Sequence, residues 1–208
     1  MMKIGVVDYE AGNLKSVETA LRRVNLDFFV SDNPVELLEA DKLIFPGVGE
    51  ARAAMDVLES KGLGDAVLEF IRTRKPFLGI CIGYQILFDM SEERDTPCLG
   101  IIPGAVRRFP KKEGFKVPHM GWNEVEAREQ GSRLFRNIPP KSSFYFVHSY
   151  YPEPAREENT AAVTNYILPF ASCYQRRNVT AVQFHPEKSG EAGLQFLRNF
   201  AEGEVPEC

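Results

Sequence analysis

Five residues, Gly79-Ile80-Cys81-Ile82-Gly83, constrain this chain more than any other stretch, because they join an apolar run to a helical pattern through a G-x-C-x-G turn. Pro76-Phe77-Leu78-Gly79-Ile80 reads as a short buried strand, and Tyr84-Gln85-Ile86-Leu87-Phe88 continues as a helix. This is the cysteine form of a nucleophile elbow. The flanking glycines let the backbone turn sharply and keep bulk away from the sulfur, and the following helix N-terminus lowers the thiol pKa through its partial positive charge. The plain alternative is a buried structural thiol.

The segments leading to this turn set the fold class. Ile4-Gly5-Val6-Val7 is a first strand, and Leu14, Val17, Leu21 and Val24 share one face of a helix over 14–24. Further strands follow at Phe28-Phe29-Val30 and Lys42 to Phe45, with helices over about 51–58 and 65–72. Strands alternating with helices imply an α/β chain with a mostly parallel sheet covered on both faces and ligands at the carboxyl ends of the strands. After Ser91 the pattern becomes strand-rich, at 106–109, 144–147, 161–163, 171–174 and 179–182, which implies antiparallel hairpins joined to that sheet. A helix over 190–200 closes the pattern, and 204–208 reads as a frayed end. With no repeat, low-complexity segment or linker, residues 1–208 read as one domain.

A nucleophilic thiol needs a base, and the chain has three histidines, His119, His148 and His185. His185 lies in Gln183-Phe184-His185-Pro186-Glu187-Lys188, just past the strand-like 179–182. In an extended segment, residues two apart face the same side, so Glu187 can hold one imidazole nitrogen while the other takes the thiol proton. Taken alone, a surface His-Pro-Glu turn would explain the same residues. A third element is Leu43 to Phe45 followed by Pro46-Gly47-Val48-Gly49. Its glycines let backbone N–H groups point at a developing oxyanion, although an ordinary strand-to-helix turn has the same composition.

Bulk properties narrow the function further. The length of 208 residues and 44% hydrophobic content suffice for a well-buried core. No apolar run of about 18 residues exists, and Met1 runs directly into a strand, so a soluble cytoplasmic protein without a membrane role is expected. The four cysteines, Cys81, Cys98, Cys173 and Cys208, have no metal or disulfide spacing, so no metal site and no cofactor are expected. A net charge of −4 argues against nucleic acid, and Arg107-Arg108 with Lys111-Lys112 reads as a solvated loop edge.

The oxyanion-type turn, cysteine elbow and His-Pro-Glu, in this order, resemble the class I (triad) glutamine amidotransferases, and the resemblance spans nearly the whole chain. It implies a flavodoxin-like three-layer mixed sheet with helices on both faces. More narrowly, the chain is similar to the glutaminase subunits of imidazole glycerol phosphate synthases. That likeness rests on Asp8-Tyr9-Glu10-Ala11-Gly12-Asn13-Leu14, Pro46-Gly47-Val48-Gly49, Pro118-His119-Met120-Gly121-Trp122-Asn123, Phe146-Val147-His148-Ser149-Tyr150 and Gln183 to Gly190.

The resemblance implies Cys81 as nucleophile, His185 as base and Glu187 as its orienter, and Gly47, Val48 and Gly49, with Ile82, at the oxyanion. Gln85, Glu93 and the His148-Ser149-Tyr150 backbone would hold glutamine. Asn13, Trp122, Tyr145 and Lys188 would face a partner, a (β/α)₈-barrel cyclase subunit in a heterodimer. The plain alternatives are Asn13 as a turn residue, Trp122 and Tyr145 as core residues, equally so for Tyr145, and Lys188 as a solvated one. Two residues depart from the family pattern: Glu10 stands where glycine is common, and Tyr84 replaces the usual methionine. The implied reaction is glutamine hydrolysis that feeds ammonia to imidazole glycerol phosphate formation in histidine biosynthesis. Competing readings are the glutaminase subunit of pyridoxal phosphate synthase and a non-catalytic scaffold or thiol sensor of the same fold.

Overall fold

A computed structural model describes residues 2–10, 14–131 and 133–203. Its first half alternates β1 (Ile4–Val7), α1 (Leu14–Arg23), β2 (Phe28–Ser31), α2 (Pro34–Leu38), β3 (Lys42–Phe45), α3 (Ala51–Ser60), α4 (Leu63–Arg72), β4 (Phe77–Ile80) and α5 (Ile82–Gln85). The strand-rich half contains β5 (Phe88–Ser91), β6 (Thr96–Pro97), β7 (Ile102–Arg108), β8 (His119–Glu124), β9 (Glu126–Ala127), β10 (Ser143–His148), β11 (Tyr150–Pro154), β12 (Thr160–Asn165), β13 (Pro169–Arg176) and β14 (Val179–Val182), and it ends in α6 (Gly190–Glu202).

The main sheet has the order β2-β1-β3-β4-β14-β13-β12-β9. Its first five strands are parallel, and β13, β12 and β9 extend it antiparallel. The parallel part follows the flavodoxin-like order, with β14 as the fifth strand and the topological switch between β1 and β3. Because successive strand side chains point to opposite faces, the apolar runs feed two cores. Ile4, Val6, Ile44, Leu78 and Val182 pack on one face with Val17 and Leu21 of α1 and Leu194 and Leu197 of α6. Val7, Leu43, Phe45, Phe77 and Ala181 pack on the other with Leu58 of α3 and Val67 and Phe70 of α4. Each fully buried large side chain contributes about 1.5–3 kcal/mol. No helix among the described residues is long and apolar enough to cross a membrane.

Two expectations need correction. The helix after the elbow is a single turn and does not reach Phe88, which opens β5. The carbonyls of Ile86, Leu87 and Phe88 accept from the amides of Leu99, Ile101, Ile102 and Gly100, so they are unavailable to a continuing helix. Arg107 and Arg108 are not a loop edge but the end of β7, where Arg107 bridges Glu92 at 2.9 Å and Glu153 at 3.0 Å.

Candidate active site

The turn after β4 holds Cys81 at φ 55°, ψ −107°. The strained residue is therefore the cysteine itself, and both flanking glycines keep ordinary φ values. Their role is close approach: a Cβ on Gly79 would strike the Gly83 carbonyl, and one on Gly83 the Phe45 carbonyl. A conformation of this kind costs about 1–3 kcal/mol and survives only where its surroundings fix it. Here the Cys81 N–H donates to the Val182 carbonyl at 2.7 Å, and the Cys81 carbonyl accepts from the amides of Tyr84 and Gln85 at 3.0 and 3.1 Å.

His185 and Glu187 reach their partnership by a different route from the extended one. The chain leaves β14 and folds Pro186–Lys188 into one 3₁₀ turn, which brings His185 Nδ1 to 2.8 Å from Glu187 Oε1. Both side chains are almost wholly buried, at 1% and 3% exposure. The Nδ1–H donates to the carboxylate, so Nε2 is the free position, and it has no conventional hydrogen bond. Burial is the largest single influence on His185 and favours the neutral ring. The neighbouring Cys81 sulfur and then Glu187 together outweigh it and raise its pKa to about 10.

The Pro46–Gly49 turn follows β3 across the switch point from Tyr9, which follows β1. Tyr9 is fully buried, and its hydroxyl lies 3.2 Å from both the N–H and the carbonyl of Val48, accepting from one and donating to the other. The Val48 N–H is thus tied to a phenol. Gly49, at φ 107°, provides the freedom that a change of this peptide needs. Gly47 does not reach the cavity: it is pressed under Ile82 and Tyr9, where any Cβ would collide.

A cavity of about 290 Å³ opens over the sulfur, lined by Val48, Gly49, Cys81, Ile82, Gln85, Glu93, Pro118, Val147, His148, Ser149, Tyr150 and His185. Of the residues expected at the triad, the oxyanion and the substrate, only Gly47 and Glu187 are missing from its wall, and Glu187 stands behind His185. Glu93 Oε2 accepts the Ala51 N–H at 2.8 Å, capping α3, while Glu92 turns away to Arg107 and the Arg108 amide. Burial, the main influence, holds the Glu93 carboxyl above its ordinary pKa. Gln85 Nε2 donates to the Tyr150 carbonyl at 3.1 Å and to Gln183 Oε1 at 2.8 Å.

Trp122 stands 58% exposed on β8, which excludes the core reading. Across the β8–β10 pair its ring meets Tyr145 edge-on at 6.2 Å, and Lys188 Nζ lies 5.9 Å from the Tyr145 ring centroid. The Tyr145 carbonyl accepts the His185 N–H at 2.9 Å, so this half-open patch adjoins the base. Asn13 lies outside the described residues. Glu10 pairs with Lys61 at 2.8 Å.

Residues 5–203 match the family model described as glutamine amidotransferase class-I. The chain belongs to the class-I glutamine amidotransferases. It is 46% identical over 205 residues to the imidazole glycerol phosphate synthase subunit HisH of Maridesulfovibrio salexigens, covering 96% of each chain. It is 48% identical over 203 residues to the protein of the same name from Moorella thermoacetica, covering 97% of this chain and 95% of that one. Among solved structures, PurLQS from Thermotoga maritima shares the fold, with a TM-score of 0.71 at 17% identity, covering 96% of this chain and 97% of that one.

Three further residues of this class-I amidotransferase, given no role by the sequence, make contacts with residues of the site. Gln183, fully buried, places its Nε2 3.6 Å from Cys81 Sγ while its Oε1 accepts from Gln85. The sequence does signal it, as the one amide in the apolar run 179–184. Tyr9 has no local signal, since its contact with Val48 spans 39 positions. His119, to which the sequence assigns no role, belongs to a hydrogen-bond chain. His148 Nδ1 must donate to the Tyr150 carbonyl at 2.7 Å, so its Nε2 accepts from His119 Nδ1 at 2.9 Å. His119 Nε2 then accepts from Asn123 Nδ2 at 3.2 Å. Burial keeps both rings neutral, lowering His119 to about 4 and His148 to about 3.

Proposed function

We propose that this chain hydrolyses glutamine to glutamate and ammonia and passes the ammonia to a cyclase subunit that forms imidazole glycerol phosphate in histidine biosynthesis. The observation that carries the chemistry is the buried Cys81–His185–Glu187 constellation opening onto one cavity. The relatives named as subunits of imidazole glycerol phosphate synthase supply the pathway and imply the complex.

In this reading the Cys81 sulfur attacks the side-chain carbonyl carbon of glutamine, and its proton passes to His185 Nε2. The carbonyl π electrons move to oxygen, and the C–N bond then breaks as His185 returns the proton to the leaving nitrogen. Water, deprotonated by the same nitrogen, cleaves the thioester and releases glutamate. Glu187 keeps the Nδ1–H tautomer in place and stabilises the imidazolium. The free oxygen of Glu93 takes the substrate ammonium, and the 148–150 backbone and Gln85 Oε1 take the rest of its amino-acid end. The Ile82 N–H has no acceptor within its own helix, because it opens α5, so it serves the oxyanion. Val48 offers a second donor once its N–H leaves Tyr9. That rotation is the step a loaded partner controls.

Free ammonia is protonated in neutral water and loses its nucleophilicity, so direct transfer to a second site is needed. We assign the partner as a (β/α)₈ barrel in a one-to-one complex, seated on Trp122, Tyr145 and Lys188. Residues 1–208 act as a single domain in the cytoplasm, where thiols stay reduced. The test is glutamate release by the purified chain, alone and with the cyclase subunit and its nucleotide substrate, with Cys81→Ala as control. Slow release alone that rises strongly with the loaded partner supports the assignment. Equal rates in both conditions refute the coupling, and unchanged release by Cys81→Ala refutes the chemistry.

A further inference from the structure

At the opposite end of the central strands from Cys81 lies a second cavity, of about 250 Å³. Arg72, Arg74, Arg176 and Arg177 line it, in a chain whose net charge is −4. Ile71, Ile102 and Val179 give it an apolar floor, and Tyr174 lines it beside Arg176. Gathering like charges costs free energy unless carboxylates are interleaved. Among the described residues Arg74, Arg176 and Arg177 have no ion pair, and Arg72 has only a long one to Glu69 at 3.4 Å between exposed side chains.

The backbone gives an independent reason to look here. Arg74 has φ 63° and Arg177 φ 53°. Arg74 follows Thr73, the last residue of the α4 cap, a position where helices usually carry glycine or asparagine. Arg177 is one of two residues linking Arg176 to Val179, which pair across the β13–β14 hairpin, and such tight turns favour glycine, asparagine or aspartate. Each arginine therefore sits in the left-handed region at a cost of roughly 1 kcal/mol that a glycine would avoid. Of the nine described non-glycine residues at positive φ, Arg74 and Arg177 are the two that line this cavity, from two separate turns. Such breaches concentrate at functional sites.

Asn178 fixes the two turns to each other. It is buried, its Nδ2 donates to the carbonyls of Ile71 and Lys75 at 2.9 Å each, and its own carbonyl accepts the Phe77 N–H at 2.8 Å. The helix-to-strand turn and the hairpin form one unit, so the arginines are brought together without a ligand.

We propose that this cavity is an anion site for a small organic phosphate carrying two or more phosphate charges. The guanidinium forks take the phosphate oxygens, and the organic part lies on the isoleucine and valine floor. This site lies outside the glutaminase machinery, and its test reads binding rather than turnover, so its failure leaves the glutaminase reading untouched.

The experiment is calorimetric titration of the full chain with inorganic pyrophosphate, which tests the charge alone, and with ADP, which adds a ring. The variants are Arg74→Asn with Arg177→Gly, and separately Cys81→Ala. Saturable one-to-one binding of both probes is expected, retained in Cys81→Ala and weakened at least tenfold in the double variant. The melting temperature of the double variant should be equal or higher, because both turns relax. Absence of saturable binding to the wild-type chain overturns the proposal, as does binding that survives in the double variant. Weaker binding accompanied by a lower melting temperature also overturns it, since the arginines would then be structural.

Discussion

The two parts of the site that flank the sulfur differ in readiness. On the β14 side His185 and Glu187 are joined at 2.8 Å and buried, and His185 lines the same cavity as the Cys81 sulfur. On the β3 side the Val48 N–H, proposed to stabilise the oxyanion, is spent on the Tyr9 hydroxyl at 3.2 Å. The nucleophile is thus assembled while the group meant to stabilise its product of attack is held back. In a glutaminase whose ammonia has value only beside an acceptor, control at the oxyanion turn limits waste without exposing the triad to solvent.

Variants that strip the assembled side define how much it contributes. Cys81→Ala should reduce glutamate release at least about 10³-fold, with or without partner, because no thioester can form. An unchanged rate would place the nucleophile elsewhere. Glu187→Gln removes the carboxylate that fixes the Nδ1–H tautomer, and about a 10³-fold loss in kcat is expected with little change in KM. A loss confined to KM would make Glu187 a binding residue. Gln183→Leu takes a donor from the sulfur and leaves Gln85 Nε2 with one partner fewer. We expect about a tenfold loss and a shifted pH profile for thiol alkylation, whereas a purely structural glutamine would leave that profile unmoved.

The smallest effect lies in the neutral histidine chain. His119 and His148 are held at about 4 and about 3, below the ordinary 6.5. The unfolded chain therefore takes up a proton at each ring before the folded one does. Their contribution to stability is complete above about pH 6.5 and is lost as pH falls through about 4 and then 3. Denaturant unfolding between pH 7 and 4 should show stability falling with pH, and His119→Gln should make that slope shallower. An equal slope would mean that His119 titrates as freely in the folded state as in the unfolded one.

The readable parts of the molecule share a physical reason. Strands β1, β3, β4 and β14 are buried on both faces, so each appears as a nearly continuous apolar run, interrupted only by Lys42 and Thr180, and the nucleophile and base lie within three residues of the ends of two of them. Strand β11 is illegible in the sequence because Pro152 and Pro154 argue against a strand, yet it is the edge of its four-stranded sheet, where a missing N–H costs little. The start of β5 looks like the end of a helix because nothing local shows that the amides of 99–102 claim the carbonyls of 86–88. The G-x-C-x-G pattern marks the turn, but its strain falls on the cysteine and its glycines serve close packing, which the sequence does not show. The Tyr9–Val48 contact joins two turns at the sheet's switch point, and only the strand order brings them together.

The most direct test of this account compares glutamate release by the wild-type chain and Tyr9→Phe, each alone and with the nucleotide-loaded cyclase subunit. Removing the hydroxyl frees the Val48 N–H, and a hydrogen bond of this kind is worth about 0.5–1.5 kcal/mol, or up to roughly tenfold in rate. The account predicts that Tyr9→Phe turns over glutamine faster than wild type when alone and gains less from the partner. If Tyr9→Phe alone is no faster than wild type, while still reaching the full rate with the partner, the phenol is not what holds the turn back and the contrast between the two sides of the site fails.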